Sequence, residues 1–285
     1  MKKAFIIPNT GKPQWRDAVL SITKTIEEAG GESFLEYRHK PELNALNIKF
    51  AALEEVSSEI DFIITLGGDG TLIAAATRAA ALDIPVLGIN IGNLGYLVEL
   101  DADERDELKK VFEGKFTFDT RAMLDISVIR SGETIKQITA LNEAVISKSL
   151  IAHPVDLSFY ADGILVNEFR ADGMIVATPT GSTAYSLSAG GPVMEPKTPS
   201  VVITPVCPHS LVSIPIVMSI MSTFQIKVTG EGDREAYLSA DGNKYGRLLI
   251  GDTVQVSRSK LELKLIRVKN RNFYTILRQK LRERV

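Results

Sequence analysis

The chain carries a single cysteine, Cys207, among 285 residues. One thiol can neither staple a domain nor complete a structural zinc site by itself, so a disulfide framework is excluded and a reducing compartment is expected. Neither sign of charge dominates: 33 Lys and Arg stand against 35 Asp and Glu, a formal charge of −2. Without a basic footprint, nonspecific nucleic-acid binding is not the main task. No stretch approaches the ~20 apolar residues a membrane helix needs. The opening apolar run stops at Pro8, far short of a signal-peptide core, and reads better as a first strand. The Walker sequence GxxxxGK[ST] is also missing, which argues against a P-loop kinase. These absences describe a cytoplasmic protein with neither membrane nor nucleic acid among its partners.

What is present is ordinary globular chemistry, 45% hydrophobic and 24% charged. The length suits two modest domains better than one core. In the first third, strands and helices alternate. Residues 4–7 (AFII), 62–66 (FIITL) and 86–91 (VLGINI) read as buried strands. Trp15, Ala18, Val19, Ile22, Ile26 and Ala29 follow helical spacing up to Gly30-Gly31, and 72–81 and 103–113 read as helices. This is the pattern of an open α/β sheet.

After about residue 120 short β runs take over: 124–130, 135–147, 155–160, 164–169, 174–178, 201–206, 223–229, 253–258 and 261–268. Turn signals separate them at Ser131-Gly132, Asp162-Gly163, Asp172-Gly173, Gly230-Glu231-Gly232 and Asp241-Gly242. The expected organisation is an α/β domain over 1–120 and a β-rich domain over 121–269. An amphipathic tail helix over 270–285 has an apolar face able to return to the first domain. No internal repeat stands out.

Three segments carry chemistry. Gly67-Gly68-Asp69-Gly70-Thr71 follows a strand and opens a helix, where ligands bind in open α/β sheets. Glycines let backbone approach a phosphate, and successive N–H groups can form an anion nest. Asp69 is a carboxylate beside that nest, suited to taking a proton from an attacking hydroxyl or helping to hold Mg²⁺. The bland alternative is a tight turn in which Asp69 or Thr71 caps the helix. The second segment, Asp172 to Val193, ends a strand near Thr178. It then offers Thr180, Ser182, Thr183, Tyr185, Ser186 and Ser188 around a glycine turn; a helix starting near Ser182 would aim its N–H groups at an anion. A Ser/Thr-rich surface loop has the same composition. The third segment, Leu141-Asn142-Glu143, offers donors and acceptors together, as a purine or ribose requires, and equally fits a solvated hairpin. Cys207 and His209 lack a third ligand and are read as structural.

In order and spacing, GGDGT, NIGNLGYL (90–97), LNE (141–143), DGMIVATPTGSTAYSLSAGGP (172–192), PVCPHSL (205–211) and ADG (240–242) resemble the NAD kinase family over nearly the whole chain. GGDGT is shared with lipid kinases and phosphofructokinases; TPTGSTAY is the more specific part. The resemblance implies a Rossmann-like α/β N-terminal domain and a β-rich C-terminal domain, a two-domain α+β kinase of the GGDG type with NAD bound between its domains. It implies transfer of a phosphoryl group from ATP, another nucleotide or polyphosphate to the adenosine 2′-hydroxyl of NAD, with a divalent metal, Mg²⁺ first, and a homodimer or homotetramer.

Residue by residue, the resemblance implies that Asp69 is the catalytic carboxylate, within a phosphate loop of Gly67, Gly68, Gly70 and Thr71. Gly70 lies against the dinucleotide, Asn142 and Glu143 bind ribose and adenine, and Asp172 contacts the nicotinamide side. Thr183, Ala184, Tyr185, Ser186, Leu187 and Ser188 surround the adenosine, while His153 and Arg170 touch the ligand across a subunit interface. Asn243 stands where the family has Gln, and Ile214 precedes Pro215 where the family has Arg. No metal ligand is assigned. A lipid or sphingoid kinase and a non-catalytic NAD-binding regulator are the rival readings.

Overall fold

The computed structural model describes residues 1–43, 47–92, 95–148, 153–209, 213–230, 236–269 and 272–282. Asn93 and Leu94 of NIGNLGYL, Ser210 and Leu211 of PVCPHSL, and Glu231-Gly232 of one expected turn lie outside them. The chain forms two compact units: Met1–Thr120 with Leu263–Val285, and Arg121–Glu262.

The first unit is built from β1 (Lys3–Pro8), α1 (Trp15–Glu28), β2 (Glu32–Leu35), β3 (Ile48–Phe50), α2 (Leu53–Val56), β4 (Phe62–Leu66), α3 (Asp69–Ala81), β5 (Val86–Asn90), β6 (Leu100–Asp101) and α4 (Arg105–Phe112). Its strands lie parallel in the order β5-β4-β1-β2-β3. FIITL and VLGIN are buried throughout because helices cover both faces of such a sheet. Trp15, Ala18, Val19, Ile22 and Ile26 form the buried stripe of α1, and Gly30, at φ +72°, ends the turn after it. From β1 the chain adds β2 and β3 on one side, then crosses to add β4 and β5 on the other. The carboxyl ends of β1 and β4 therefore flank a topological switch point, the usual ligand crevice of an open α/β sheet.

The second unit contains β7 (Thr117–Arg130), β8 (Glu133–Ala140), β9 (Glu143–Lys148), β10 (Val155–Ala161), β11 (Ile164–Ala171), β12 (Gly173–Ala177), α5 (Tyr185–Ser188), β13 (Ser200–Val206), β14 (Ile216–Ser219), β15 (Phe224–Thr229), β16 (Ala236–Ala240), β17 (Asn243–Leu248) and β18 (Thr253–Arg267); β7 begins, and β18 ends, in the first unit. One antiparallel sheet runs β14-β13-β12-β9-β16-β17; β11-β10-β15-β18 forms another ladder, and β7 pairs with β8. Alternating side chains of both sheets meet in one core, with Ile146, Met174, Val176 and Leu238 against Leu157, Phe159, Phe224 and Val254. The Phe159 and Phe224 rings stack with centroids 6.1 Å apart. Burying each large side chain contributes ~1.5–3 kcal/mol. The tail helix α6 is Phe273–Arg282.

Several expectations are corrected. The run 135–147 is two strands, β8 and β9, parted at Leu141-Asn142, where the amides turn to the Asp241 carboxylate instead of a ladder. The runs 253–258 and 261–268 are one strand, β18, whose far end lies beside β5, with Leu265 opposite Val86, so the chain rejoins the first unit at Leu263 rather than at 270. Asp172-Gly173 is no turn: there the chain passes from the β11 ladder to the sheet of β12, and Asp172 N donates to Val206 O. Strands β2, β3, β16 and β17 lacked a long enough apolar run to be read, and Pro215 interrupts the apolar stretch that holds β14.

Glycine is required at 173 because a Cβ there would stand 2.2 Å from Ile146 O and 3.1 Å from Ser147 Cα. Neither backbone atom can yield without breaking the β9–β12 ladder. Gly173→Ala should therefore cost about 3 kcal/mol, the upper end for an overpacked site, measured as a drop in urea midpoint at unchanged m-value. A loss under 0.5 kcal/mol would show that the two strands separate freely.

Candidate active site

The GGDGT loop leaves β4 with Gly67 N bonded to Ile89 O, and α3 starts at Asp69 itself, three residues earlier than its apolar run suggests. A Cβ at Gly67 would lie 2.1 Å from Thr71 Oγ1, so glycine lets the Thr71 side chain fold against the loop. The capping alternative fails: α3 has no side-chain cap. The Asp69 carboxylate instead accepts from three consecutive main-chain amides, Tyr96 N at 2.6 Å, Leu97 N at 3.0 Å and Val98 N at 3.2 Å. Gly95 makes that approach possible, since a Cβ there would stand 2.1–2.4 Å from the carboxylate atoms. Gly70 is exposed beside it, with nothing within 4 Å of a notional Cβ.

The segment that grips Asp69 is itself held. Arg267 donates to Leu97 O at 2.8 Å and pairs with Glu99 at 3.1 Å and Asp119 at 3.0 Å. Glu99, almost wholly buried, also accepts from Val268 N and Lys269 N. On the β1 side, Gln14 Nε2 donates to Ile91 O, and Lys12 Nζ lies 3.5 Å from where a Cβ of Gly92 would be. The loop after β1 thus reaches the loop after β5, over the end of the intervening β4. Lys12 and Arg267 escaped the sequence reading because nothing local distinguishes them.

In the second unit, three segments far apart in sequence converge. Asp241 Oδ2 accepts from Leu141 N at 2.7 Å, and its Oδ1 from Asn142 N at 2.7 Å and Glu143 N at 3.2 Å. From the other side Thr178 N donates to Asn142 O, Thr178 Oγ1 donates to Leu141 O at 2.7 Å, and Gly181 N donates to Thr178 Oγ1. Gly181 presses so closely that a Cβ would stand 2.2 Å from Asn142 O. Asn142 and Glu143 are both buried, and Asn142 Oδ1 and Glu143 Oε2 have no hydrogen-bond partner in the protein. Buried polar atoms are rarely left so, and these two oxygens are free to accept from a polar ligand. Burial, helped by the nearby Asp241 charge, pushes the Glu143 carboxyl up to about 7. Burial also raises Asp241, against the pull of its three amides.

The hydroxyl-rich stretch is not the expected helix start. Gly181–Thr183 is a single 3-10 turn and Tyr185–Ser188 a single helical turn, and Gly181 N and Ser182 N are both bonded internally. Buried Ser186 shares a 2.8 Å hydrogen bond with Thr204, behind Gly191. Tyr185 and Ser188 are exposed; Thr183, Ala184 and Leu187 are half-buried. Asp172 pairs with Lys148 at 2.7 Å, exposed Arg170 with Asp156 at 2.7 Å. Arg170 and His209 line one open groove of about 470 Å³ with Asp156 and Glu168; exposed His153 does not. Asn243 is exposed, and Ile214 is 67% exposed, so both departures from the family pattern fall on the surface. Among the described residues no group of three or more His, Cys, Asp or Glu is placed to hold a metal, and no helix is long and apolar enough to cross a membrane.

Comparison with known proteins gives concordant matches. Residues 16–116 match the ATP-NAD kinase N-terminal domain and residues 141–268 the ATP-NAD kinase C-terminal domain. An NAD kinase of Symbiobacterium thermophilum is 41% identical over 284 residues, 99% of each chain. The crystal structure of an Archaeoglobus fulgidus NAD kinase in complex with ATP aligns at TM-score 0.73 and 26% identity over 99% of each chain. Yeast NADH kinase complexed with NADH shares the fold at TM-score 0.88 and 23% identity, over 99% of this chain and 87% of that one.

Glu143 ties stability to pH. Its carboxyl lies at about 7 when folded and near 4.5 when exposed, so the folded state holds the proton more tightly. The associated stability is fully present below pH 4.5 and is lost as pH rises to about 7, an effect on the order of 3 kcal/mol. Glu143→Gln should flatten that decline and be the more stable protein at pH 8. Urea unfolding at pH 5 and pH 8 measures it, and equal pH dependence in both proteins would refute the assignment.

Proposed function

The chain belongs to the NAD kinase family, and from that premise we propose that it transfers the γ-phosphoryl group of ATP to the adenosine 2′-hydroxyl of NAD, giving NADP. The observation that carries the proposal is the Asp69 carboxylate held at the mouth of GGDGT by three main-chain amides. A carboxylate offers about four acceptor sites, so this grip fixes its direction and leaves one for a substrate hydroxyl. The matches to both NAD kinase domains set the lipid kinase reading aside.

Phosphoryl transfer asks the protein for positioning and for charge stabilisation. Asn142 and Glu143 take the ribose and adenine through their orphaned oxygens, and Thr183 to Ser188 surround the adenosine with Tyr185 as the exposed aromatic face. Asp172 contacts the nicotinamide side. As the 2′-oxygen bonds to the γ-phosphorus, the β–γ bridge bond breaks, its electron pair leaves with ADP, and the hydroxyl proton passes to Asp69. Gly67, Gly68, Gly70 and Thr71 face the donor's phosphates, with Lys12 as a nearby cation. With three acceptor sites of Asp69 taken by amides and the fourth by the hydroxyl, no described side chain is left to hold Mg²⁺; bound through the donor's phosphates, the metal would neutralise their charge. Arg170 and His153 reach ligand bound to a neighbouring subunit of a homodimer or homotetramer, and the compartment is the cytoplasm.

An assay for NADP from NAD, Mg²⁺ and a panel of ATP, other nucleotides and polyphosphate tests the reading directly. Asp69→Asn keeps the size of the side chain and removes its basicity. Its kcat should fall on the order of 10²–10⁴-fold while NAD binding stays measurable by calorimetry. A kcat near wild type would remove Asp69 from the proton-accepting role.

Asn142→Ala should act on binding. A group on ribose or base, away from the reacting phosphate, contributes alike to ground and transition states, so KM for NAD rises and kcat holds. The reverse pattern in steady-state kinetics would move Asn142 into the chemical step.

A further inference from the structure

Asp241 is a partly buried titratable group with no part in the phosphoryl transfer described above. It opens the Asp241-Gly242 turn between β16 and β17, and both residues have positive φ, +48° and +77°. Two positive φ values across a two-residue loop mark the hairpin turn that Asn-Gly and Asp-Gly favour. The turn itself has no need of a charge turned inward from solvent, since Asn would serve equally and hairpin tips normally lie in water. Burying a carboxylate is unfavourable unless hydrogen bonds offset it. Here they come from Leu141 and Asn142, where the expected β run 135–147 is interrupted, and from Glu143, the first residue of β9. A return bond, Asp241 N to Glu143 O at 3.3 Å, closes the arrangement.

Resting on the reading of Asn142 and Glu143 as NAD-binding residues, we propose that Asp241 is the positioning residue that holds this pair in its binding geometry. If 141–143 continued as regular ladder, alternation would send the side chains of Asn142 and Glu143 to opposite faces of the sheet. The anion instead gathers three successive amides, and Leu141-Asn142 leave the ladder. The unpartnered Asn142 Oδ1 and Glu143 Oε2 are what this break leaves to a ligand. Gly181 and Thr178 brace the same segment from behind. Asp241 is also the charged group acting on Glu143 among the described residues, so it influences when Glu143 is ionised and able to accept from ribose hydroxyls.

The test is steady-state NADP formation by the full chain, from pH 5.5 to 8.5, for wild type, Asp241→Asn and Asp241→Glu. In wild type, KM for NAD should fall as pH rises through about 7, as Glu143 ionises. Asp241→Asn keeps a favourable hairpin turn and loses the anion. It should raise KM for NAD about tenfold or more, leave KM for ATP unchanged, and move the midpoint of the NAD profile below 7. Asp241→Glu keeps the charge and misplaces it, so KM for NAD should rise with the midpoint near 7 retained. A merely structural role would lower active enzyme and kcat without shifting the midpoint or separating the two substrates, and either of those results overturns the proposal. If Asn142→Ala and Glu143→Gln also leave KM for NAD unmoved, the underlying reading of the pair fails. If they raise it while Asp241→Asn does not, only the role of Asp241 fails.

Discussion

A carboxylate gripped by three consecutive main-chain amides is the interaction on which this molecule depends, and among the described residues it occurs at Asp69 and at Asp241. Asp69 is held by residues 96–98 and Asp241 holds residues 141–143. Charge-assisted hydrogen bonds of this kind are roughly twice as strong as neutral ones, so three together fix both partners. The same motif serves opposite ends. Around Asp69 the peptide is the frame and the acid is presented; around Asp241 the acid is the frame and the peptide is presented.

Each grip is backed by a tighter layer. Arg267, Glu99 and Asp119 form a nearly buried ion network that clamps Leu97 and the end of β18. Buried ion pairs rarely add much net stability, but removing one partner strands the other, so such networks impose geometry more than they raise stability. Gly95 and Gly181 complete the picture by omission: each lies where any side chain would displace the group being presented.

The elements whose causes are local were legible in the sequence. FIITL, GGDGT and the alanine-rich helix announce strand, turn and helix by composition alone, and Ser131-Gly132 and Asp162-Gly163 announce hairpins that the structure contains at positive φ. What was not legible has distant causes. The interruption at Leu141-Asn142 is imposed by Asp241, about a hundred residues later. The run 261–268 gave no hint that it continues β18 into the first unit, because its strand pattern is the same wherever it pairs. The Asp241-Gly242 turn was legible, but its strands β16 and β17 were missed, since the polar, glycine-containing β17 carries only one fully buried residue, Leu248. For the site, residue type marked the three segments and family resemblance gave the roles within them, whereas the backbone carbonyls and amides that orient those residues have no signature in side-chain type.

The late return of β18 has a consequence for biogenesis. Leu97 and Arg267 are separated by 170 positions, and the network joining them needs the last stretch of chain before α6. A nascent polypeptide that has emerged only as far as the second unit leaves one edge of β5 without its β18 neighbour and the Asp69 frame without its clamp. Long-range parallel pairing is slow to form, and an open edge invites wrong partners while it waits. Completion of the Asp69 frame therefore waits for Arg267, and a translation product truncated before it lacks the clamp that steadies the frame.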